Sequence, residues 1–187
     1  MNSDEELCNK LRELNLDLSD TLNIYFTYKK VKNGCYIVIK KKLSNKFENI
    51  LLEYKLKYKK YNRNINKEII NLYFISKKID PINVDFIDEN NNNNDKIIGK
   101  FLGYGCVYDM NKDKPCIKGY LLNINYVNYI NNIDKQTQVY GFCCLKLNIN
   151  IINNTLKIID KMNYYMKKYL LNFLDRGNFA LEIMRNK

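Results

Sequence analysis

Two hydrophobic periodicities coexist in this chain, and together they restrict its fold more than any other feature. Apolar and polar residues alternate along Tyr120, Leu122, Ile124 and Tyr126, and again along Val139, Gly141, Cys143, Leu145, Leu147 and Ile149, the period of a half-buried strand. Further on, Ile159, Met162, Met166, Tyr169, Leu170 and Phe173 recur at mostly three- and four-residue intervals, the period of a helix with one apolar stripe. Strands followed by an amphipathic helix describe an α+β chain in which the helix covers a sheet. With 187 residues, 46% of them hydrophobic and 27% charged, the chain is long enough to bury a core and too apolar to stay disordered. A single domain over 1–187 is expected.

The N-terminal half is read by the same rules. Ser3 with Glu6 makes a capping box ahead of Leu7, Leu11 and Leu14, which predicts a short helix over about 4–15. Leu22–Val31 and Cys35–Lys42, rich in β-branched and aromatic residues, flank Asn33-Gly34, so a β-hairpin is expected across that dipeptide. Its core face would carry Leu22, Ile24, Phe26, Tyr28, Cys35, Ile37 and Ile39. The opposite face would carry Tyr25, Thr27, Lys29, Val31, Tyr36, Val38, Lys40 and Lys42. Interleaved Tyr and Lys on a strand surface suit a stacking platform for single-stranded nucleic acid, although the same residues also suit a second layer under a helix with snorkelling lysines. Asn45 and Glu48 would then cap a helix with a stripe of Phe47, Ile50, Leu51, Tyr54, Tyr58 and Tyr61, resumed after Asn62–Asn66 by Ile69, Ile70, Tyr73 and Phe74 as a second or bent helix.

Asp80-Pro81 and the Asn90–Asn94 run mark a flexible Asn-rich loop at about 80–96. Beyond it an antiparallel β-meander is expected from Lys96–Tyr108, Cys116–Tyr129 and Thr137–Ile149, with Gly99, Gly103 and Gly105 weakening the first strand. A long amphipathic C-terminal helix from about Asn154 to a stop at Gly177 would pack across this meander. The tail Phe179–Met184 would dock either at home or on a neighbouring subunit, giving a homo-oligomer through the C-terminal helix and tail.

Charge is distributed unevenly. Lys29 to Lys78 holds fifteen Lys and Arg against three acids, so this stretch carries the whole excess of a chain whose net charge is +11. Acidic segments flank it at Asp4–Asp20, with six acids, and Asp80–Asp95, with five; they either neutralise it or leave it open to a polyanion. Heavy use of Asn, Ile, Lys and Tyr is the usage of an AT-rich genome, large DNA viruses among them, which supplies lysine without selection for binding; position therefore matters more than total charge.

Several chemistries are absent. With no histidine, the chain has no Ser-His or Cys-His nucleophile pair and no imidazole zinc site. The six cysteines (Cys8, Cys35, Cys106, Cys116, Cys143 and Cys144) form no Cys-x-x-Cys knuckle, and with no secretory leader or membrane span expected they are predicted to be thiols without disulfides in the cytoplasm or nucleus, or in a virion if the source is viral. Asp109-x-Asn111-x-Asp113 opens like a calcium loop but has Lys114 where glycine belongs and Tyr120 where glutamate belongs. Gly99-Lys100-Phe101 is not a phosphate loop. No cofactor, metal site or catalytic residue is predicted; Asp109, Asp113, Asp134 and Asp160 leave an enzyme of unrecognised type as a third expectation.

The leading expectation is a non-catalytic binding protein contacting nucleic acid or another polyanion, with weak sequence specificity, through the 29–78 region. The residues expected to carry it are Lys29, Lys40, Lys41, Lys42, Lys55, Lys57, Lys59, Lys60 and Arg63, with Tyr25 and Tyr36 as stacking partners. The alternative is a structural or protein-interaction component, such as a small virion or assembly protein.

Overall fold

The computed structural model describes residues 3–65, 68–77, 94–103, 119–130, 133–144, 146–170, 173–174 and 177–185. In chain order the elements are α1 (Ser3–Glu13), α2 (Leu18–Tyr28), β1 (Gly34–Lys40), α3 (Ser44–Glu53), β2 (Lys57–Ile65), β3 (Glu68–Ser76), α4 (Asn94–Leu102), β4 (Tyr120–Ile130), β5 (Ile133–Cys144), α5 (Ile149–Tyr169) and β6 (Gly177–Arg185). A 3₁₀ turn, Lys41–Leu43, joins β1 to α3. The fold is α+β. It divides into two compact units, Met1–Asn83 and Val84–Lys187. Each holds one three-stranded antiparallel sheet, ordered β1-β3-β2 in the first and β5-β4-β6 in the second.

In the first unit α1 forms where expected, with Asp4, Glu5 and Glu6 in its first turn and Lys10 and Arg12 in its last, the arrangement that complements the helix dipole. The segment expected to be the first arm of a hairpin, Leu22–Tyr28, is instead the body of α2. Asp17 caps it by accepting from the Asp20 backbone N–H at 2.7 Å. Thr21, Leu22, Ile24, Tyr25, Phe26 and Thr27 are all buried, so this helix is enclosed around most of its circumference. Such a helix shows no stripe, and its β-branched and aromatic content imitates a strand.

Asn33-Gly34 is therefore not a hairpin turn, since it leads from α2 into β1. The helix stops at Lys30, whose φ of 60° is left-handed, with Val31 N–H on Phe26 O at 2.9 Å and Lys30 N–H on Thr27 O at 3.0 Å. The same double closure ends α3 at Lys55, φ 54°, with Leu56 N–H on Leu51 O at 2.8 Å and Lys55 N–H on Leu52 O at 3.0 Å. That stop is why Tyr58 and Tyr61 do not continue a helical stripe. Residues 57–76, expected to be helical, form the β2–β3 hairpin, and β3 takes the central position because Tyr73, Phe74 and Ile75 are buried on both of its faces.

Leu7, Leu11, Leu22, Phe26, Phe47 and Leu51 from the helices meet Cys35, Ile37, Ile39, Tyr73 and Ile75 from the sheet in a buried core. At the start of α3 the buried Asn71 side chain donates to the buried Ser44 hydroxyl.

In the second unit, Asn94–Leu102 is the helix α4 and not the first strand of a meander, with Gly99 buried within it. Residues 104–118, which include the rest of that expected strand and the Asp109–Asp113 loop, lie outside the described residues. The expected strands near 116–129 and 137–149 appear as β4 and β5, with a register shift between Ile124 and Asn125. β5 ends at Cys144, since Asn148 caps α5 by accepting from Ile151 N–H at 3.0 Å.

The third strand is the C-terminal tail. Phe179–Met184 lies within β6, paired antiparallel with β4 in the same chain. Gly177 begins that strand and does not terminate α5, which ends at Tyr169. The buried stripe of α5 runs Ile151, Thr155, Ile159, Met162 and Met166. Its Asn163 side chain accepts from Phe179 N–H at 2.7 Å and donates to Phe179 O at 3.2 Å, covering one peptide on the edge of β6 that faces away from β4.

No helix among the described residues is long and apolar enough to cross a membrane. Cys8, Cys35 and Cys144 are free and buried, as expected of thiols.

Candidate nucleic-acid interface

Strand register assembles the candidate site. Tyr36 pairs with Phe74, which pairs in turn with Lys59; Val38, Leu72 and Tyr61 form the next row; Gly34, Ser76 and Lys57 form the row on the other side. Directly opposed residues share a face, so the sheet face away from Ile37, Tyr73 and Ile75 carries Tyr36, Val38 and Lys40 from β1 and Lys57, Lys59 and Tyr61 from β2. The rings meet in space. Tyr36 and Phe74 lie with centroids 6.2 Å apart at 34°, and Tyr61 and Phe74 with centroids 5.9 Å apart at 90°. Tyr36 is 52% exposed and Val38 49%, whereas Phe74 is buried between its neighbours. Lys40, Lys57 and Lys59 are exposed, and Tyr61 is half-buried.

The structure sorts the other expected site residues. Lys41 and Lys42 are exposed on the turn after β1, and Lys55 is exposed at the end of α3. Arg63 pairs with Ile70 in the row of Lys40, and its side chain lies outside the described ones.

Lys29 and Lys60 are held by carboxylates. Lys29 Nζ lies 2.9 Å from Oδ2 of the buried Asp4, and Lys60 Nζ lies 2.9 Å from Glu48 Oε1 on the helix-covered side of the sheet. Tyr25 is corrected most clearly. It is fully enclosed, and its hydroxyl donates to Asp4 Oδ2 at 3.0 Å, so it presents no ring to a base. Because Leu22–Tyr28 is a helix, the alternation that put Tyr25 on the Tyr36 face does not exist.

Glu48 is an internal anchor and not part of the interface. Besides Lys60 it accepts from Tyr58 at 3.1 Å and Tyr73 at 2.6 Å. Burial alone would raise its carboxyl; hydrogen bonds from Tyr73, Lys60 and Tyr58 outweigh that and hold it below the ordinary carboxylate value. The first acidic flank thus neutralises Lys29, through Asp4, and Lys10, through Glu6. The second flank, apart from the start of α4, lies outside the described residues.

A cavity of about 420 Å³ adjoins the Lys40 end of β1, lined by Asp17 and Asp20 together with Lys40, Lys42, Val38 and Leu43 among others. Burial, helped by Asp17, pushes the Asp20 carboxyl up to about 6. Among the described residues no cluster of three or more Cys, Asp or Glu is arranged to hold a metal ion. Of the four carboxylates singled out as a catalytic set, Asp160 is exposed on α5, Asp109 and Asp113 are outside the described residues, and the Asp134 side chain is too.

Sequence patterns missed Tyr61 and Phe74, which had been placed on a helical core stripe. The β-favouring run Ile69-Ile70-Asn71-Leu72-Tyr73-Phe74-Ile75 was the available signal for a central strand. No protein-family model, curated protein or solved structure matches the chain.

Proposed function

We propose that this chain is a non-catalytic nucleic-acid-binding protein of weak sequence specificity, contacting phosphates through the Tyr36 face of its N-terminal unit. The observation that supports this most is that one sheet face carries three exposed lysines, Lys40, Lys57 and Lys59, around an exposed tyrosine. Lys41 and Lys42 extend the cationic surface beyond β1, and Lys55 extends it before β2. Lysine offers a point charge with no planar fork for base edges, so these contacts would position a strand without reading its sequence.

The test is a salt titration of oligonucleotide affinity with the full chain. Neutralising about three to six phosphates gives a slope of log K on log salt of about −3 to −5. A slope near zero, or no binding at low salt, overturns the proposal.

A further inference from the structure

We infer that the preferred ligand of this face is single-stranded nucleic acid, with one base stacked on Tyr36 and a neighbouring base against Tyr61, an inference that rests on the phosphate-binding role proposed above. Lysines alone would serve a duplex equally well, because both forms offer phosphates. The rings would not. In a duplex the bases stack on each other, whereas in a single strand they are free to splay onto aromatic side chains.

Two features of the face fit splayed bases. Tyr36 and Tyr61 stand on the two outer strands on either side of Phe74, two strand spacings apart, or about 10 Å. Their planes are also steeply inclined to one another, since Tyr36 lies near the plane direction of Phe74 and Tyr61 is perpendicular to it. Parallel, regularly spaced base pairs cannot match two such surfaces, while a flexible strand can turn between them. Lysines sit on both sides: Lys40 on β1 with Tyr36, and Lys57 and Lys59 on β2 with Tyr61. A backbone crossing from β1 to β2 over the rings therefore meets cations at entry and exit.

The experiment compares a labelled oligothymidylate of about 15 nucleotides with a duplex of the same length at one ionic strength, using the full chain; base–aromatic stacking of about 1–3 kcal/mol per base sets the scale. Tyr36→Ala is expected to lower single-strand affinity by about 5- to 150-fold and to leave duplex affinity within about twofold. Tyr36→Phe, which keeps the ring, should retain binding. The pair Lys57→Ala/Lys59→Ala should weaken both ligands together. Tyr36 is half-exposed, and an unchanged melting curve verifies that its replacement acts through binding. Equal affinity for the two forms, or a Tyr36→Ala effect that is absent or the same on both, overturns the stacking inference while the salt-dependent phosphate role stands. Absence of salt-dependent binding to either form overturns both.

Discussion

The two sheets have the same number of strands and the same antiparallel pairing, yet they dispose of their polar side chains in opposite ways. In the C-terminal unit the central strand β4 is buried on both faces: Leu122, Ile124 and Tyr126 on one side, Asn123, Asn125 and Val127 on the other. Among its polar groups, Asn125 turns to its neighbours, with Nδ2 donating to Glu182 on β6 at 2.9 Å and to Gln136 on β5 at 3.4 Å. Glycines keep that sheet tight, since a Cβ on Gly177 would lie 2.5 Å from Val127 O and 2.6 Å from Tyr126 Oη. In the N-terminal unit one face is sealed by helices, and the other presents Tyr36, Val38 and lysines to solvent. Burial placed both central strands, but in the first sheet one face keeps exposed lysines around an exposed tyrosine.

The largest effect that separates the two belongs to the closed sheet. Gly177→Ala forces its methyl into the Val127 carbonyl and the Tyr126 ring, and is expected to destabilise the β4–β6 pairing by about 2–3 kcal/mol. Amide exchange along β6 measures this; an unchanged rate would mean that the sheet is looser than its contacts imply.

Next is a contrast between two tyrosines that sequence alone made equivalent. Tyr25→Phe removes the donor to the buried Asp4 carboxylate and should cost about 1–3 kcal/mol of stability with oligonucleotide affinity unchanged. Tyr36→Phe should change stability by less than about 0.5 kcal/mol, because its hydroxyl stands on the half-exposed side of the sheet. Denaturant titration of both variants decides, and equal losses would erase the distinction between core and interface.

The smallest effect concerns Lys55. Its left-handed φ suits glycine, so Lys55→Gly is expected to stabilise the N-terminal unit by up to about 1 kcal/mol, while removing one cation and flattening the single-strand salt slope by about 0.7. Stability that falls, or a slope that stays the same, would show that Lys55 contributes to the fold in some other way, or to no phosphate contact.

These comparisons also show where local pattern is a sufficient guide. The apolar spacing of α1 and the apolar stripe of α5 were legible because each helix exposes one side, and exposure imprints a period on the residues. The same logic failed for α2, buried nearly all round, and for β3, buried on both faces, since enclosure erases the period that distinguishes helix from strand. Of the site, Tyr36 and the lysines of β1 and β2 were visible as residue types. Their partners Phe74 and Tyr61 were not, because they belong to strands brought alongside β1 only by long-range pairing.

What the amino-acid order determined unaided was the α+β class, the confinement of excess positive charge to 29–78 and the absence of imidazole chemistry, all properties carried by composition and short spacing. Tertiary structure alone decided that Lys29 meets the Asp4 carboxylate and Lys60 that of Glu48. It also decided that three rings from three strands share one face. Register and ion pairing join residues tens of positions apart, and their energies depend on distances that no local window of sequence contains.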